Sequence, residues 1–242
     1  MAAGKGLAFA QEGSAPDLTQ FPRNETVIVH NPEGIIRNPA WFNLWAVGAG
    51  NGTSNGLHNL TTDTLWFIDP DAGVEGASEN AVYNSLADDL WQYNDDFTEM
   101  TVKLKQGIYW SDDVEFTADD VVFTVQKQAS TPGTPYNGAF SNQVEEVSAP
   151  DKYTVHFKLK KPNSRFHTLF SVRWTAAWIM PKHVYEKVED ILSYDANPPV
   201  SIGPYTLHSF DPNGTWYIWE KRADWERTAL GNLPGSIGYV AI

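Results

Sequence analysis

Cysteine is absent from this sequence of 242 residues. Its absence excludes disulfide bonds and thiolate-bound metal ions from the chain. A chain of this length buries a sizeable apolar core and can fold without covalent cross-links. The lack of cysteine is therefore compatible with an exported protein.

Positive charge is scarce as well. Lys and Arg total 17 against 30 Asp and Glu, which gives a net charge of −13. Nucleic-acid backbones and anionic membrane surfaces attract basic proteins, so we expect neither as a partner. The sequence also lacks any apolar run of about 18 residues, the length that a membrane-spanning helix requires. We therefore expect no membrane span in this chain.

Catalytic and metal-binding motifs are missing too. The six histidines lack the spacing of a metal pair, and the chain has no HExxH, GxSxG, P-loop or dinucleotide fingerprint. Adjacent acidic pairs such as Asp88-Asp89 suit turns and helix starts better than glycosidase chemistry, which needs two converging carboxylates. We expect a binding protein that is not an enzyme and that carries no metal or cofactor.

Aromatic side chains, in contrast, are abundant, with 10 Trp, 10 Tyr and 12 Phe. Aromatic rings offer large flat surfaces to sugar rings or peptide side chains. Clusters of them in polar segments are therefore candidates for ligand contact. Trp110, Trp216, Trp219 and Trp225 lie in regular segments instead, and we expect them to pack in the core.

Several segments predict regular structure. Met100, Val102 and Leu104 alternate with polar residues, which is typical of a half-buried strand. Thr117 with Asp120 three residues later is typical of a capping box, and it predicts a helix that begins there. The segment 152–160 alternates as a second strand. Pro181, followed by apolar residues at helical spacing up to position 192, predicts another helix.

The stretch from Leu86 to Phe123, which contains the first of these strands and the capping box, resembles a known family. The chain resembles the signature of the family 5 extracytoplasmic solute-binding proteins of ABC importers. The matching phrases are Leu86-Ala87, the strand up to Leu104-Lys105, Gly107, Trp110-Ser111-Asp112 and Phe116-Thr117-Ala118-Asp119-Asp120-Val121-Val122-Phe123. Lys105 stands where Arg is common in that signature, and Asp113 stands where Gly is usual. Later phrases are similar to the family in the same order: Val147 to Phe157, Ile179 to Val184, Ser201 to Tyr205 and Trp216 to Trp225.

The resemblance implies a fold. It is a mixed α/β fold of the type II periplasmic-binding-protein kind, cluster C, with an extra β-rich subdomain in the first lobe. On this basis we expect the main sheet of lobe I in residues 24–65 and 200–242, and the inserted subdomain in residues 66–199. Residues 1–23 are expected to be a disordered tail with the remnant of a signal peptide. The second lobe and its C-terminal return are expected to be absent from this chain.

The resemblance also implies a function. The protein is expected to be a monomer outside the cytoplasmic membrane that captures a polar oligomeric solute, an oligosaccharide or an oligopeptide, and delivers it to an ABC permease. A carbohydrate-active enzyme or a lectin-like glycan-binding module is the alternative. Two tryptophans, several asparagines and few charges between residues 31 and 59 favour an oligosaccharide, whereas the frequency of peptide binders in the family favours a peptide.

The candidate ligand-binding residues follow from the family resemblance and from the positions of the aromatic clusters. In the resembled family the loop after the first strand faces the cleft, which makes Trp41 and Trp45 the expected stacking platforms. Asn43 and Asn59 are their expected hydrogen-bonding neighbours. Aromatic clusters elsewhere add the remaining candidates, which are Trp66, Tyr136 and Trp174.

Overall fold

The computed structural model of the protein describes residues 16–31, 34–46, 56–68, 82–172, 176–229 and 237–242. These residues form both strands and helices, so the fold is mixed α/β, as predicted. The strands are β1 (Thr26–Ile28), β2 (Trp66–Ile68), β3 (Val82–Asn84), β4 (Gln92–Tyr93), β5 (Glu99–Lys103), β6 (Val144–Asp151), β7 (Thr154–Leu159), β8 (Ser171–Val172), β9 (Tyr205–Phe210), β10 (Tyr217–Lys221) and β11 (Tyr239–Ala241). The α-helices are α1 (Leu57–Leu60), α2 (Ala118–Ser130), α3 (Asn137–Gln143) and α4 (Lys182–Tyr185).

The described strands form three sheets. One has the order β1-β11-β10-β9, in which β1 runs parallel to β11 and the other neighbours are antiparallel. A second has the order β3-β2-β8, and a third has the order β4-β5-β7-β6. The first sheet therefore joins the two ends of the described chain, while the other two come from the residues between them.

Local sequence explains helix α2. The backbone N–H of Thr117 donates to Oδ2 of Asp120 at 2.9 Å, and the reciprocal bond to the Thr117 side chain completes the predicted capping box. Val121 and Val125 are buried, so one stripe of the helix faces the core. The predicted capping box and the helix that begins after it are both confirmed.

The predicted alternation is confirmed over residues 155–159 of strand β7, whereas Thr154, on the face predicted to be polar, is buried as well. Val155, Phe157 and Leu159 are buried, whereas Lys158 is exposed. Alternate side chains of a strand point to opposite faces of its sheet, so this pattern buries one face. The buried face joins a core cluster that also includes residues of β5 and α2.

The long helix predicted after Pro181 is wrong. Helix α4 ends at Tyr185, and turns follow it. The carboxylate of Asp190 accepts hydrogen bonds from the backbone N–H of Leu192 and the hydroxyl of Ser193, which favours a turn over helix. The apolar residues of this segment still pack, however, because Ile191 belongs to the core cluster of the first sheet.

Two large clusters of buried side chains form the core. One lies around the sheet β4-β5-β7-β6 and includes Leu65 and Ile202. The other lies against β9 and β10 and includes Met180 and Ala196. Part of the segment 180–196 thus packs with the first sheet, although we assigned it to the inserted subdomain. The division into 24–65 with 200–242 and 66–199 stays a prediction.

Candidate functional site

The loop that follows β1 is fixed to its surroundings by backbone hydrogen bonds. The N–H of Ile36 donates to the carbonyl of Gly214 at 2.9 Å, and the N–H of Phe42 donates to the carbonyl of Asp195 at 2.7 Å. Gly214 has φ +78°, and a Cβ atom there would lie 2.2 Å from the carbonyl oxygen of Ile36. The positive φ and the close approach of the Ile36 carbonyl both require glycine at position 214. We call residues 34–46, which these hydrogen bonds hold in place, the braced loop.

Asn43 is the central anchor of this braced loop. Its side chain is fully buried, and its Nδ2 group donates to the carbonyls of Ile191 at 2.7 Å and Tyr194 at 2.9 Å. Its Oδ1 atom accepts from the backbone N–H of Trp45 at 2.9 Å and from the hydroxyl of Tyr185 at 3.3 Å. A buried amide with these partners is satisfied within the protein, so Asn43 supports the loop and does not face a ligand.

The two tryptophans of the braced loop lie in different environments. Trp45 is 2% exposed, and its ring packs against those of Phe123 and Tyr185 at centroid distances of 6.2 and 5.4 Å. Its burial does not support a role as an exposed stacking platform. Trp41 is half-buried, so part of its ring remains available for contact.

The other predicted site residues lie apart from the braced loop. Trp66 is fully buried in the core cluster around the sheet β4-β5-β7-β6, and its Nε1–H donates to the carbonyl of Asp89 at 3.0 Å. Tyr136 is half-buried against that same cluster. Asn59 is in helix α1, but its side chain lies outside the described part of the structure, as does Trp174. The predicted site residues that the structure describes therefore do not converge on one site.

The structure adds residues that the sequence did not single out. Tyr185 and Tyr194 contact each other edge-to-face at 5.4 Å, and both are connected to the braced loop through Asn43. They line a cavity of about 20 Å³, which holds roughly one water molecule. An oligomeric ligand cannot enter that cavity, so any ligand at this place must lie on the outer surface of the loop.

Two enclosed carboxylates belong to the scaffold. Burial raises the pKa of Asp63 to about 6, although hydrogen bonds from the Ser85 hydroxyl and the Thr64 backbone N–H oppose that rise. Burial likewise raises the pKa of Asp120, which accepts backbone N–H bonds from Thr117 and Lys182. Each carboxylate has donors that connect neighbouring segments, as expected of structural groups.

Two further observations concern other kinds of site. Across the described ranges, no three His, Asp or Glu side chains come together in a way that could hold a metal ion. Nor does any helix in those ranges combine the length and apolar character needed to cross a membrane.

The chain is similar to several known proteins and solved structures. The chain is 31% identical over 157 residues to the uncharacterized protein y4wM of Sinorhizobium fredii, a match that covers 62% of this chain and 23% of that protein. Its structure is similar to the periplasmic oligopeptide-binding protein of Thermotoga maritima, solved with mannohexaose bound (TM-score 0.73, 24% identity, 91% of this chain and 38% of the other). It is also similar to the oligopeptide-binding protein AppA of Bacillus subtilis in complex with a nonapeptide (TM-score 0.66, 25% identity, 89% and 39%).

These neighbours confirm the mixed α/β fold of the type II periplasmic-binding-protein kind. The cluster C assignment stays a prediction. The chain spans well under half the length of the proteins it matches. Proteins of this kind are extracytoplasmic substrate-binding components of transport systems. The model of the bacterial extracellular solute-binding proteins, family 5 Middle, matches residues 81–234, and the chain therefore belongs to that family.

Proposed function

We propose that the protein is the substrate-binding component of an ABC importer. It captures an oligomeric solute outside the cytoplasmic membrane and delivers it to the permease. The observation that carries this proposal is the family match over residues 81–234, which is more than half of the chain. The described residues form the first lobe of a two-lobed binding protein in this proposal.

The ligand class we favour is an oligopeptide. The sequence argument for an oligosaccharide used the tryptophans, asparagines and low charge of residues 31–59, and two of those residues, Asn43 and Trp45, have buried side chains. The Bacillus subtilis neighbour, at 25% identity, was solved with a nonapeptide. The Thermotoga maritima neighbour was solved with mannohexaose, but at 24% identity it supports the fold rather than the ligand. An oligosaccharide is the second candidate, and Trp41 supplies the partly exposed ring that stacking on sugar requires.

The braced loop suits the proposed mechanism. Its hydrogen bonds to Asp195, Ile191 and Tyr194 hold it in one conformation before the ligand arrives. A pre-organised surface loses little conformational entropy on binding. A ligand that contacts both lobes then favours the closed arrangement, and the permease recognises that arrangement.

Calorimetric titration of the full-length protein tests the proposal. The ligands are di- to pentapeptides in one series and cello- and manno-oligosaccharides in the other. We expect peptides of three to five residues to bind and the glycans to give no heat. If only the glycans bound, the ligand would be an oligosaccharide rather than an oligopeptide. If the protein cleaved any glycan, the proposed transport function would be wrong.

Trp41 gives a residue-level test. Trp41→Ala should weaken ligand binding about tenfold, because it removes a contact surface, and should leave thermal unfolding nearly unchanged. Trp225 is also half-buried, but it lies under the ammonium group of Lys221 in a different part of the chain, so Trp225→Ala is the matched control. Equal affinity for the two variants would argue against a ligand-facing role for Trp41.

A further inference from the structure

The first sheet buries side chains on both of its faces. Trp219 and Val240 point into the large core cluster that lies against β9 and β10. Ile218 and Ala241 are their neighbours in β10 and β11 and point to the opposite face, because successive side chains of a strand alternate between the faces. We call this opposite face the outer face. Ile218 and Ala241 are both buried, so the outer face has a cover of its own.

The cover comes from the N-terminal part of the chain. Residues 17–21, which we call the strap, lie in the segment that the sequence predicts to be a tail, and they include a turn of 3-10 helix, Leu18–Gln20. Phe21 is 8% exposed and belongs to the buried cluster of the outer face. The centroid of its ring lies 5.2 Å from that of His208 and 4.9 Å from that of Tyr239. Phe21 therefore anchors the strap on the sheet.

Hydrogen bonds do not hold the strap on the sheet. Among the residues that the structure describes, every hydrogen bond of the strap stays within the strap. The backbone N–H of Phe21 donates to the carbonyl of Leu18 at 3.2 Å, and the carboxylate of Asp17 accepts from the backbone N–H of Thr19 at 3.0 Å. The strap is thus held on the sheet by apolar and ring contacts.

The chain is fixed to the sheet directly after the strap. The hydroxyl of Thr26, the first residue of β1, donates to the carbonyl of Pro22 at 2.8 Å. The backbone N–H of Gly238 donates to the carbonyl of Glu25 at 2.9 Å. The strap can therefore leave the outer face through a change of backbone conformation next to Pro22, while β1 stays paired with β11.

A contact of this kind should open at low cost. Burial of one aromatic side chain favours the docked strap. Ordering the five residues of the strap opposes docking, because each residue loses conformational entropy. Segments with few apolar contacts and no hydrogen bonds to the rest of a protein open without global unfolding. We therefore expect the strap to detach while the sheet remains folded.

Detachment uncovers a row of apolar side chains. Ala241 pairs with Ile218 on one side and with Ile28 on the other, so the three side chains lie in one row across β10, β11 and β1. Ile28 is 55% exposed even with the strap docked. When the strap leaves, Ile218 and Ala241 lose the cover of Phe21 and extend this exposed surface. A contiguous apolar surface of this kind is suited to bind an apolar segment.

We propose that the strap is a detachable cover, anchored by Phe21, that occupies an apolar docking site on the outer face of the first sheet. The site takes a short segment with a leucine three residues before a phenylalanine. In the free protein the occupant is the strap itself, because its tether to β1 gives it a high local concentration at the site. This proposal does not depend on the transport function or on the ligand of the main site.

Native-state hydrogen exchange of the full chain tests whether the strap detaches by itself. We expect the backbone amide of Phe21 to exchange at a rate that low concentrations of urea do not change, because local opening exposes little surface. The amide of Tyr217, which donates to the carbonyl of Ile242 at 2.8 Å inside the sheet, should exchange at least tenfold more slowly and should respond to urea. If both amides had the same rate and the same response to urea, the strap would be an integral layer of the fold and the proposal would be wrong.

Phe210 supplies a matched control for the anchor. It is 7% exposed, as Phe21 nearly is, but it belongs to the large core cluster. Phe21→Ala should favour the open strap by about tenfold or more, because it removes most of the buried apolar area, and Phe21→Leu should recover most of the docking. The urea midpoint of unfolding should fall less than half as far for Phe21→Ala as for Phe210→Ala. Equal losses, or a Phe21→Ala variant that does not fold, would overturn the proposal.

A peptide added in trans tests the docking site itself. The full-length Phe21→Ala variant is titrated with a synthetic peptide of residues 17–23 while the backbone amide signals of residues 216–218 and 239–241 are followed by NMR. We expect these signals to shift with a dissociation constant on the order of 1 mM, since a single side chain anchors the peptide. The same peptide with alanine in place of Phe21 should not shift them.

Three results of the titration would overturn the proposal. The first is that the peptide leaves these signals in place, and the second is that the alanine peptide shifts them equally. The third is that the signals of the variant depend on protein concentration before any peptide is added, because a second copy of the chain would then be the occupant of the outer face. Each of these results leaves the proposed transport function intact.

Discussion

The guanidinium group of Arg222 and the carboxylate of Asp224 form a two-bond ion pair, with Nε–Oδ1 at 2.9 Å and Nη2–Oδ2 at 2.7 Å. The Arg222 side chain is 2% exposed. Its remaining donors reach four backbone carbonyls, those of Tyr109, Trp110, Ser201 and Gly203. One side chain thus connects the end of β10, the turn at residues 109–113 and the loop before β9.

Replacing this arginine should therefore be costly. Arg222→Ala removes a charged donor from four carbonyls and from the Asp224 carboxylate, and breaking a buried charge network of this kind costs about 3–5 kcal/mol. We expect the urea midpoint of unfolding to fall accordingly, and Arg222→Lys to recover only part of the loss because it lacks the planar fork. The matched control is Lys158→Ala, whose exposed pair with Glu145 at 2.8 Å lies apart from Arg222 and should contribute less than about 1 kcal/mol. Equal losses for Arg222→Ala and Lys158→Ala would show that Arg222 is not the central link.

Asp63 should make stability depend on pH. Although the residue is partly exposed, its carboxyl group is enclosed, and burial raises its pKa from 3.8 to about 6. The folded protein then binds the proton more tightly than the unfolded chain does. The resulting contribution to stability is complete below pH 3.8 and is lost as the pH rises through about 6.

The measurement is the free energy of unfolding of the wild type and of Asp63→Asn at several pH values. Between pH 7 and pH 5 the wild type should gain up to about 1 kcal/mol relative to the variant. A difference between the two proteins that stays constant over this range would contradict the raised pKa.

Local features of this fold could be predicted from sequence. The capping box of Thr117 and Asp120 needs only residues three positions apart, and the burial of Val155 and Phe157 follows from alternation within one strand. In each case the information lies in adjacent residues, so a single sequence contains it.

The candidate site could be predicted less well, because its determinants are not local. Asn43 bonds to the carbonyls of Ile191 and Tyr194, which lie 148 and 151 positions away. Those bonds anchor the buried side chain of Asn43 to a distant part of the chain. A polar loop rich in asparagine and tryptophan favours ligand contact when only its composition is known, and the structure shows that part of that composition serves internal anchoring.

Gly203 should tolerate no side chain. A Cβ atom there would lie 2.4 Å from the carbonyl oxygen of Leu60 and 3.0 Å from Cα of Thr61, and both of these are backbone atoms. Relief would require the main chain to move, so Gly203→Ala should cost roughly 1–3 kcal/mol, as overpacking does in other cores. Gly138, in helix α3, has no atom within 4 Å of its would-be Cβ, and Gly138→Ala should stabilise the protein by up to about 1 kcal/mol. Chemical denaturation of the two variants checks the opposite signs, and destabilisation by Gly138→Ala would mean that the space around α3 is misjudged.

Phe97 occupies a backbone conformation that suits glycine. Its φ is 56°, in the left-handed region, and its side chain is 42% exposed at the turn between β4 and β5. A bulky residue is strained there, whereas glycine adopts the conformation freely. The ring also makes an edge contact with Tyr93 at 5.7 Å, and this contact opposes the relief of strain. We therefore expect Phe97→Gly to raise the free energy of unfolding by about 0.5–1 kcal/mol and Phe97→Val, which is β-branched, to lower it. Thermal unfolding followed by circular dichroism distinguishes the two, and a loss of stability in Phe97→Gly would show that the contact with Tyr93 outweighs the backbone strain.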